Sequence, residues 1–258
     1  MRIARFTVDD QIHYGVVHGE NDDQVVVPLA GDPFINGVQP VEGTSWPVPD
    51  VRLLAPVIPR SKVVCVGRNY ADHAREMGHE LPHSPLLFLK PNTSVVGPGD
   101  PVTLPSWTDE VSYEAELAVV IGRICRDVPS DKVDKVIFGY TCANDLTARD
   151  IQRAEQQWTR AKGFDGACPL GPWIETELDT SDIAIRSSVN GDLQQDGSTA
   201  DMIFGVADVV SYVSSVFTLL PGDVILTGTP AGVGHVDDGD TVEVDLEGIG
   251  VLRTAIRR

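Results

Sequence analysis

Positive charge is scarce in this sequence: 20 lysines and arginines stand against 38 aspartates and glutamates, which gives a formal net charge of −18. Surfaces that bind phosphate backbones or anionic lipids need clustered lysine and arginine. The sequence also lacks an apolar run near the ~20 residues that span a bilayer, and its first residues, MRIARFTVDD, lack the apolar core of a signal peptide. We therefore expect a cytoplasmic protein with no nucleic-acid or membrane partner.

Cysteine is also rare, and the four thiols are far apart in the sequence, at Cys65, Cys125, Cys142 and Cys168. No C-x-x-C pair and no histidine-rich segment accompanies them. A zinc ribbon or a dithiol redox motif would need such spacing. We expect reduced thiols that are mostly buried.

Glycine (24) and proline (18) are abundant, and valine-rich segments lie between them. This pattern is typical of short strands joined by tight turns, so we predict a β-rich α+β fold with few helices. We divide the chain into a small β-rich N-terminal domain with a proline-rich connector, residues 1–57, and a main domain, residues 58–258.

In the main domain, the apolar patterns predict strands at 62–66, 86–89, 111–121 and 136–142. A later strand before Gly228 runs into a glycine-rich turn. Two helices are predicted: one at 71–77, ended by Gly78, and one that opens with a capping box at Thr147 and extends to about Trp158.

The segment 111–121 carries two acidic residues, Glu114 and Glu116, among apolar alternate positions. Side chains of a strand alternate between its faces, so the two carboxylates share a face, roughly 7 Å apart along the strand. A third carboxylate, Asp145, follows the predicted strand 136–142 and precedes a helix. Three oxygen ligands of this kind suit Mg²⁺. On spacing alone, other interpretations stay open, because alternate glutamates are common on exposed strands and an aspartate before a helix is usually a cap.

Six ordered segments carry a resemblance to a known family over residues 51–258. They are VVCVGRNYADHAREMG (63–78), LLFLKPNTSVVGPGD (86–100), YEAELAVVIG (113–122), GYTCANDLTARDIQ (139–152), RAKGFDGACPLGPWI (160–174) and ILTGTPAGVG (225–234). With these motifs the chain resembles the fumarylacetoacetate hydrolase family. The resemblance implies a mixed β-sheet roll with few helices, usually in a homodimer.

The resemblance also implies roles for individual residues. Glu114, Glu116 and Asp145 would hold one Mg²⁺ or Mn²⁺, and Lys162 would act in the site as an electrostatic stabiliser. His73 and Glu76, three residues apart and thus on one face of a helix, match the catalytic dyad of the family. Four further positions match residues that line the substrate pocket in family members: Arg68, Lys90, Gln152 and Thr229.

Together these features predict a metal-dependent hydrolase that cleaves the C–C bond of a 2,4-dioxo acid, fumarylpyruvate or another acylpyruvate, to pyruvate and a carboxylic acid. The complete His73–Glu76 dyad favours hydrolysis, because a base is needed to activate water. Two alternatives use the same metal ligands: an oxaloacetate decarboxylase, and an isomerase/decarboxylase of a dicarboxylate from aromatic degradation. A remote alternative is a non-catalytic protein that binds a metal and an oxo acid.

Overall fold

The computed structural model describes residues 1–76, 78 and 80–258. Within these residues, twenty strands account for most of the regular structure. The strands are β1 (Arg2–Val8), β2 (Gln11–His18), β3 (Val25–Pro28), β4 (Trp46–Pro47), β5 (Arg52–Leu54), β6 (Val63–Gly67), β7 (Leu86–Lys90), β8 (Val95–Val96), β9 (Val102–Thr103), β10 (Val111–Tyr113), β11 (Ala115–Ile121), β12 (Ile137–Asn144), β13 (Thr147–Ala148), β14 (Cys168–Glu175), β15 (Ala184–Val189), β16 (Asp192–Ser198), β17 (Val224–Leu226), β18 (Gly234–Val236), β19 (Thr241–Leu246) and β20 (Gly250–Arg257).

Helices in the described ranges are few and short. The α-helices are α1 (Pro33–Asn36), α2 (Ala71–Glu76), α3 (Arg149–Ala154), α4 (Thr159–Lys162) and α5 (Val206–Val216), and the 3-10 helices are Asn21–Asp23, Val48–Asp50, Asn92–Ser94, Ser130–Lys135 and Thr199–Asp201. None of these helices has the length and apolar character needed to cross a membrane. The predicted β-rich α+β fold is confirmed.

The strands form three sheets. The largest has twelve strands in the order β4-β3-β2-β1-β14-β12-β11-β17-β6-β7, with β5 beside β1 and β8 beside β14. A three-stranded sheet has the order β13-β10-β18, and a five-stranded sheet has the order β16-β15-β19-β20-β9. The large sheet is mixed, because β17 and β6 run parallel whereas β11 and β12 run antiparallel.

The predicted N-terminal domain joins the large sheet rather than standing apart from it. β1 pairs with β14 through Arg2 opposite Glu175 and Ile3 opposite Ile174. Apolar side chains from both parts, Ile3 and Ile174 among them, lie in one buried cluster. The boundary at residues 57 and 58 stays a prediction, since the sheet runs across it without a break.

The centre of the large sheet is covered on both faces. All seven residues of β11 are buried, as expected for a central strand whose sequence, AELAVVI, is almost wholly apolar. Helix α5 lies over one face, where its Val209, Val210 and Val213 pack with Val119 and Ile225. This spacing places the three valines on one side of the helix.

Three local predictions were wrong at their boundaries. The strand predicted at 111–121 is interrupted at Glu114, where the chain passes from the three-stranded to the twelve-stranded sheet. The capping box at Thr147 does not form, because the Thr147 hydroxyl donates to the Asp145 carbonyl (2.9 Å) and helix α3 begins after Ala148 without a side-chain cap. That helix ends at Ala154, and α4 follows as a separate turn.

Other predictions agree with the structure. The strands predicted at 62–66, 86–89 and 136–142 correspond to β6, β7 and β12. Helix α2 begins at Ala71 as predicted and Gly78 has a positive φ of 71°, whereas the predicted last helical residue, Met77, lies outside the described residues. The four cysteines are free, three of them buried and Cys125 half-buried.

Candidate active site

Three carboxylates converge at the start of β11. Glu114 and Glu116 are 5% and 2% exposed and Asp145 is fully buried, and each offers an oxygen within 4.8 Å of the others. The pairing of β11 with β12 sets Ala115 opposite Asn144. Asp145, which follows β12, therefore lies beside Glu114, which precedes β11. The Asp145 N–H donates to the Glu114 carbonyl at 2.9 Å, which fixes this approach.

Three cations surround two of these carboxylates. Lys162 Nζ donates to Asp145 Oδ2 at 2.7 Å and to Glu114 Oε2 at 2.9 Å. Arg149 forms an ion pair with the other oxygen of Glu114. Lys90 Nζ lies 2.7 Å from Asp145 Oδ1, although its hydrogen bonds go to carbonyls, those of Ala167 (2.8 Å), Leu146 (3.4 Å) and Lys162.

Glu116 is the carboxylate without such a neighbour in the described part of the chain. Its Oε2 accepts from the Gly228 N–H at 2.6 Å. Gly228 has a φ of 98°, and a Cβ there would lie 2.7 Å from Cβ of Asn69, so only glycine fits this close approach. Burial raises the pKa of Glu116 well above its usual value, and the neighbouring charges of Asp145 and Glu114 raise it further.

The cations have the opposite effect on Glu114. Burial raises its pKa, but Lys162 and Arg149 lower it more, so the net shift is downward. For Lys162, burial lowers the pKa, and the carboxylates of Asp145 and Glu114 more than reverse that effect. The surroundings thus favour the charged forms of Glu114 and Lys162 and disfavour the charged form of Glu116.

A divalent metal ion fits this cluster. Asp145 Oδ1 is buried beside the Lys90 ammonium at 2.7 Å but accepts no hydrogen bond of good geometry within the described residues. A cation bound by Glu116 and Asp145 would relieve the repulsion that raises the pKa of Glu116. Three carboxylate oxygens are the donor set of a hard divalent cation, Mg²⁺ or Mn²⁺, with positions left for a ligand.

His73 and Glu76 come together on helix α2. His73 Nδ1 lies 3.4 Å from Glu76 Oε2, and the imidazole is buried while the carboxylate is partly exposed. Glu76 also accepts from the N–H of Gly232, at 3.2 and 3.3 Å. The pair therefore bridges α2 to the loop after β17, and in the described residues His73 Nε2 has no partner.

One cavity of about 270 Å³ connects the carboxylates to the His73 side chain. Of the predicted site residues, the structure brings eight to its wall: Arg68, His73, Glu114, Glu116, Asp145, Gln152, Lys162 and Thr229. Glu76 and Lys90 are not on that wall. Lys90 lies behind Asp145, where it contacts a predicted metal ligand and the main chain of Lys162.

Sequence reasoning missed several wall residues, above all Arg149. Its guanidinium is buried between Glu114 and Gln152, whose Oε1 accepts from Arg149 Nη1 at 2.9 Å. The signal was present, because Arg149 lies in the recognised segment 139–152, four residues after Asp145. Trp158 was also missed: Arg68, with an unusual positive φ of 60°, carries its guanidinium 5.9 Å from the centre of that ring.

Comparison with known proteins agrees with this geometry. A model of the fumarylacetoacetate hydrolase C-terminal domain matches residues 62–257, which include every residue of the site. The chain belongs to the fumarylacetoacetate hydrolase family. A second model, of the N-terminal domain of Rv2993c-like proteins, matches residues 1–56.

Individual relatives cover either the whole chain or its larger part. Protein Rv2993c of Mycobacterium tuberculosis is 49% identical over 264 residues, 100% of this chain and 98% of that protein. The crystal structure of 5-carboxymethyl-2-hydroxymuconate delta-isomerase from Mycobacterium smegmatis matches with a TM-score of 0.92 and 48% identity, and covers 100% of both chains. Oxaloacetate tautomerase YcgM of Escherichia coli is 46% identical over 197 residues, 74% of this chain and 90% of that protein.

Proposed function

We propose that the protein is a Mg²⁺- or Mn²⁺-dependent isomerase that interconverts the keto and enol forms of a short 2-oxo dicarboxylate such as oxaloacetate. One observation carries the proposal: a small cavity joins three buried carboxylates on one side to a His–Glu pair on the other. Two of the relatives bear the names of a tautomerase and an isomerase. This favours the isomerase branch over the acylpyruvate hydrolysis predicted from the sequence.

The metal site supplies the first half of the chemistry. A divalent cation held by Glu114, Glu116 and Asp145 would polarise the 2-oxo group of the substrate. Lys162, whose ammonium lies against Glu114 and Asp145, adds positive charge at the same wall of the cavity. Negative charge that develops on the substrate oxygen would thus be stabilised beside buried charged groups.

The dyad supplies the proton transfer. Glu76 fixes the imidazole of His73 through Nδ1, which leaves Nε2 to take a proton from the carbon next to the 2-oxo group. A proton delivered to the oxygen of the resulting enolate then gives the enol, and the reverse transfers regenerate the keto form. Arg68 and Arg149 place positive charge on the cavity wall for the carboxylates of a dianion. Gln152 offers a neutral amide there, and Thr229 contributes to the wall while its hydroxyl donates to the Ala115 carbonyl. Binding of the substrate by these four residues belongs to the proposal.

Hydrolysis of an acylpyruvate is the second candidate. The observation that favours it is the same His73–Glu76 pair, because a histidine held by a carboxylate can also activate a water molecule. Decarboxylation of oxaloacetate needs no base. The three reactions therefore differ in how strongly they depend on His73.

Parallel assays can separate these reactions. With Mg²⁺ or Mn²⁺ present, oxaloacetate is followed by the absorbance of its enol and by release of CO₂, and fumarylpyruvate and acetylpyruvate are followed by formation of pyruvate. We expect metal-dependent loss of the oxaloacetate enol that falls about 10²–10⁴-fold in His73→Ala, the usual contribution of a general base. His235→Ala is the matched control, because His235 is exposed and pairs with Asp237 (3.2 Å) away from the cavity.

Each alternative has its own result. Pyruvate from the acylpyruvates, without enol turnover, would replace the proposal by hydrolysis. CO₂ release that persists in His73→Ala would identify a decarboxylase. Metal binding without turnover of any substrate would support the remote alternative of a binding protein.

The active form is proposed to be a homodimer. Strand β7 is the last strand of the twelve-stranded sheet, and Leu86 and Leu89 on it are exposed. An apolar edge strand is a surface that proteins commonly cover. Light scattering on the purified protein should give twice the mass of the 27.8 kDa chain, whereas a single-chain mass would contradict the dimer.

A further inference from the structure

The start of β11 lacks a strand neighbour on one side. β11 pairs with β12 from Ala115 to Ile121, but with β17 only from Ala118 to Val120, because β17 ends at Leu226. Ala115 is fully buried and lies between Glu114 and Glu116. Buried backbone donors and acceptors need partners, so the N–H and C=O of Ala115 must be satisfied by something other than a strand.

Two side chains satisfy them. The Ala115 N–H donates to Gln195 Oε1 at 3.0 Å, and Thr229 Oγ1 donates to the Ala115 carbonyl at 2.8 Å. Gln195 Nε2 in turn donates to Thr229 Oγ1 at 2.7 Å, which closes a ring of hydrogen bonds. The two side chains continue the ladder at the point where β17 has ended.

The remaining bonds of Gln195 fix its orientation. Its Nε2 also donates to the Pro230 carbonyl at 2.8 Å, and its Oε1 also accepts from Ser187 Oγ at 2.9 Å. A glutamine amide has two donor hydrogens and two acceptor sites, and all four are used here. Gln195 is fully buried and does not line the cavity, so it contacts the backbone beneath the site.

Gln195 also connects two sheets of the molecule by hydrogen bonds. It belongs to β16 in the five-stranded sheet, whereas Ala115 begins the central strand of the twelve-stranded sheet. Through Pro230 it holds the loop whose Gly232 N–H donates to Glu76 of the dyad. One side chain thus contacts the backbone between two predicted metal ligands and the loop that receives the dyad.

We propose that Gln195 is a positioning residue of the metal centre: by holding Ala115 and the 229–230 loop, it sets the distance between the Glu114 and Glu116 carboxylates. This inference rests on the proposed metal site. Groups that orient metal ligands typically contribute about 10–100-fold to metal affinity or activity. Because Gln195 is neutral, its removal changes the position of the ligands without changing the charge of the site.

The test measures metal affinity directly, by calorimetric titration of the metal-free protein with Mn²⁺. Gln195→Met keeps the length of the side chain and removes its four hydrogen bonds, so the Kd for Mn²⁺ should rise about 10–100-fold. Ser187→Ala removes one bond to Gln195 from the side away from the cavity and should raise the Kd less. Gln11→Met, at an exposed position of β2 that does not line the cavity, is the matched control and should leave the Kd unchanged.

The outcomes distinguish this proposal from the proposed function. A Gln195→Met protein that is less stable but binds Mn²⁺ like the wild type would show a merely structural role and overturn the inference alone. If Gln195→Met does not fold, an unchanged Kd in Ser187→Ala overturns it. If the wild type itself binds no Mn²⁺, the metal centre and the inference fall together.

Discussion

The predicted N-terminal domain, residues 1–57, and the predicted main domain, residues 58–258, contribute to one sheet, yet they bury different kinds of side chain. No charged residue is buried in residues 1–57, where the interior consists of apolar side chains such as Ile3, Phe6 and Val26. The main domain buries Lys90, Arg149 and Lys162 together with the three carboxylates. Burial of charge is costly even when the charges are paired.

This contrast shows where stability and function are located. Apolar burial in the N-terminal strands stabilises the fold and leaves the cavity untouched, since no residue before Val66 lines it. The main domain carries the charged cluster that would bind the proposed metal ion and substrate. Substitutions in the two domains should therefore separate effects on stability from effects on activity.

The largest effect is expected at Glu116. Glu116→Gln keeps an acceptor for the Gly228 N–H but removes a carboxylate ligand. We expect loss of metal-dependent turnover by more than about 100-fold, since even groups behind the ligands contribute about 10–100-fold. The metal-free variant should at the same time be more stable than the wild type, because glutamine carries no carboxyl group whose ionisation is opposed by burial and by Asp145 and Glu114.

Activity assays and thermal unfolding of metal-free protein, run side by side, check this prediction. Ile12→Val, at an exposed position of the N-terminal domain, serves as the control. Full activity in Glu116→Gln after chelation and reloading with metal would remove Glu116 from the site.

Removal of a buried cation should be the next largest effect. Arg149→Met leaves Glu114 with Lys162 as its remaining cation, and loss of one partner of a buried ion pair costs about 3 kcal/mol or more. Arg52 of the N-terminal domain pairs with Asp100 at 2.6 Å on the surface, so Arg52→Ala should cost less than about 1 kcal/mol.

Urea unfolding of the metal-free proteins measures both free energies of unfolding. An equal loss of unfolding free energy in Arg149→Met and Arg52→Ala would mean that the buried cluster is no more sensitive to the loss of a charge than the surface is.

The pH dependence of stability should also reside in the main domain. The folded state raises the pKa of Glu116, so it binds the proton more tightly than the unfolded state does. This contribution to stability is present below the ordinary glutamate pKa and is lost as the pH rises through the raised value. Glu114, with its lowered pKa, acts in the opposite sense and only in the more acidic range.

The difference between wild type and Glu116→Gln isolates this contribution. Above the ordinary glutamate pKa, the free energy of unfolding of the metal-free wild type should fall relative to that of the variant as the pH rises. Parallel pH curves for the two proteins would show that Glu116 titrates normally.

The smallest effect is expected at the seam between the two domains. Ile3 is fully buried opposite Ile174, and Ile3→Val should lower the free energy of unfolding by about 0.5–1.5 kcal/mol. Turnover number and KM should not change, because the cavity lies elsewhere. A changed KM at this position would show that the N-terminal domain communicates with the site, and the contrast between the domains would need revision.

The sequence by itself determined the fold class, several strand positions and the identity of the cluster. Alternating apolar residues indicated the strand that carries Glu114 and Glu116, and the motif around Asp145 indicated the third carboxylate. Local sequence patterns can predict these features because side-chain periodicity and turn formation depend on a few neighbouring residues.

Only the tertiary structure decided what surrounds those ligands. It placed Lys90 behind Asp145, paired Arg149 with Glu114 and supported Ala115 by Gln195. Each of these contacts joins residues that are far apart in the chain, and the break at Glu114 lies among them. Local sequence patterns do not predict these contacts, because the contacts form between elements that are distant in the sequence. Their physical cause is the requirement that every buried charge and backbone group has a partner.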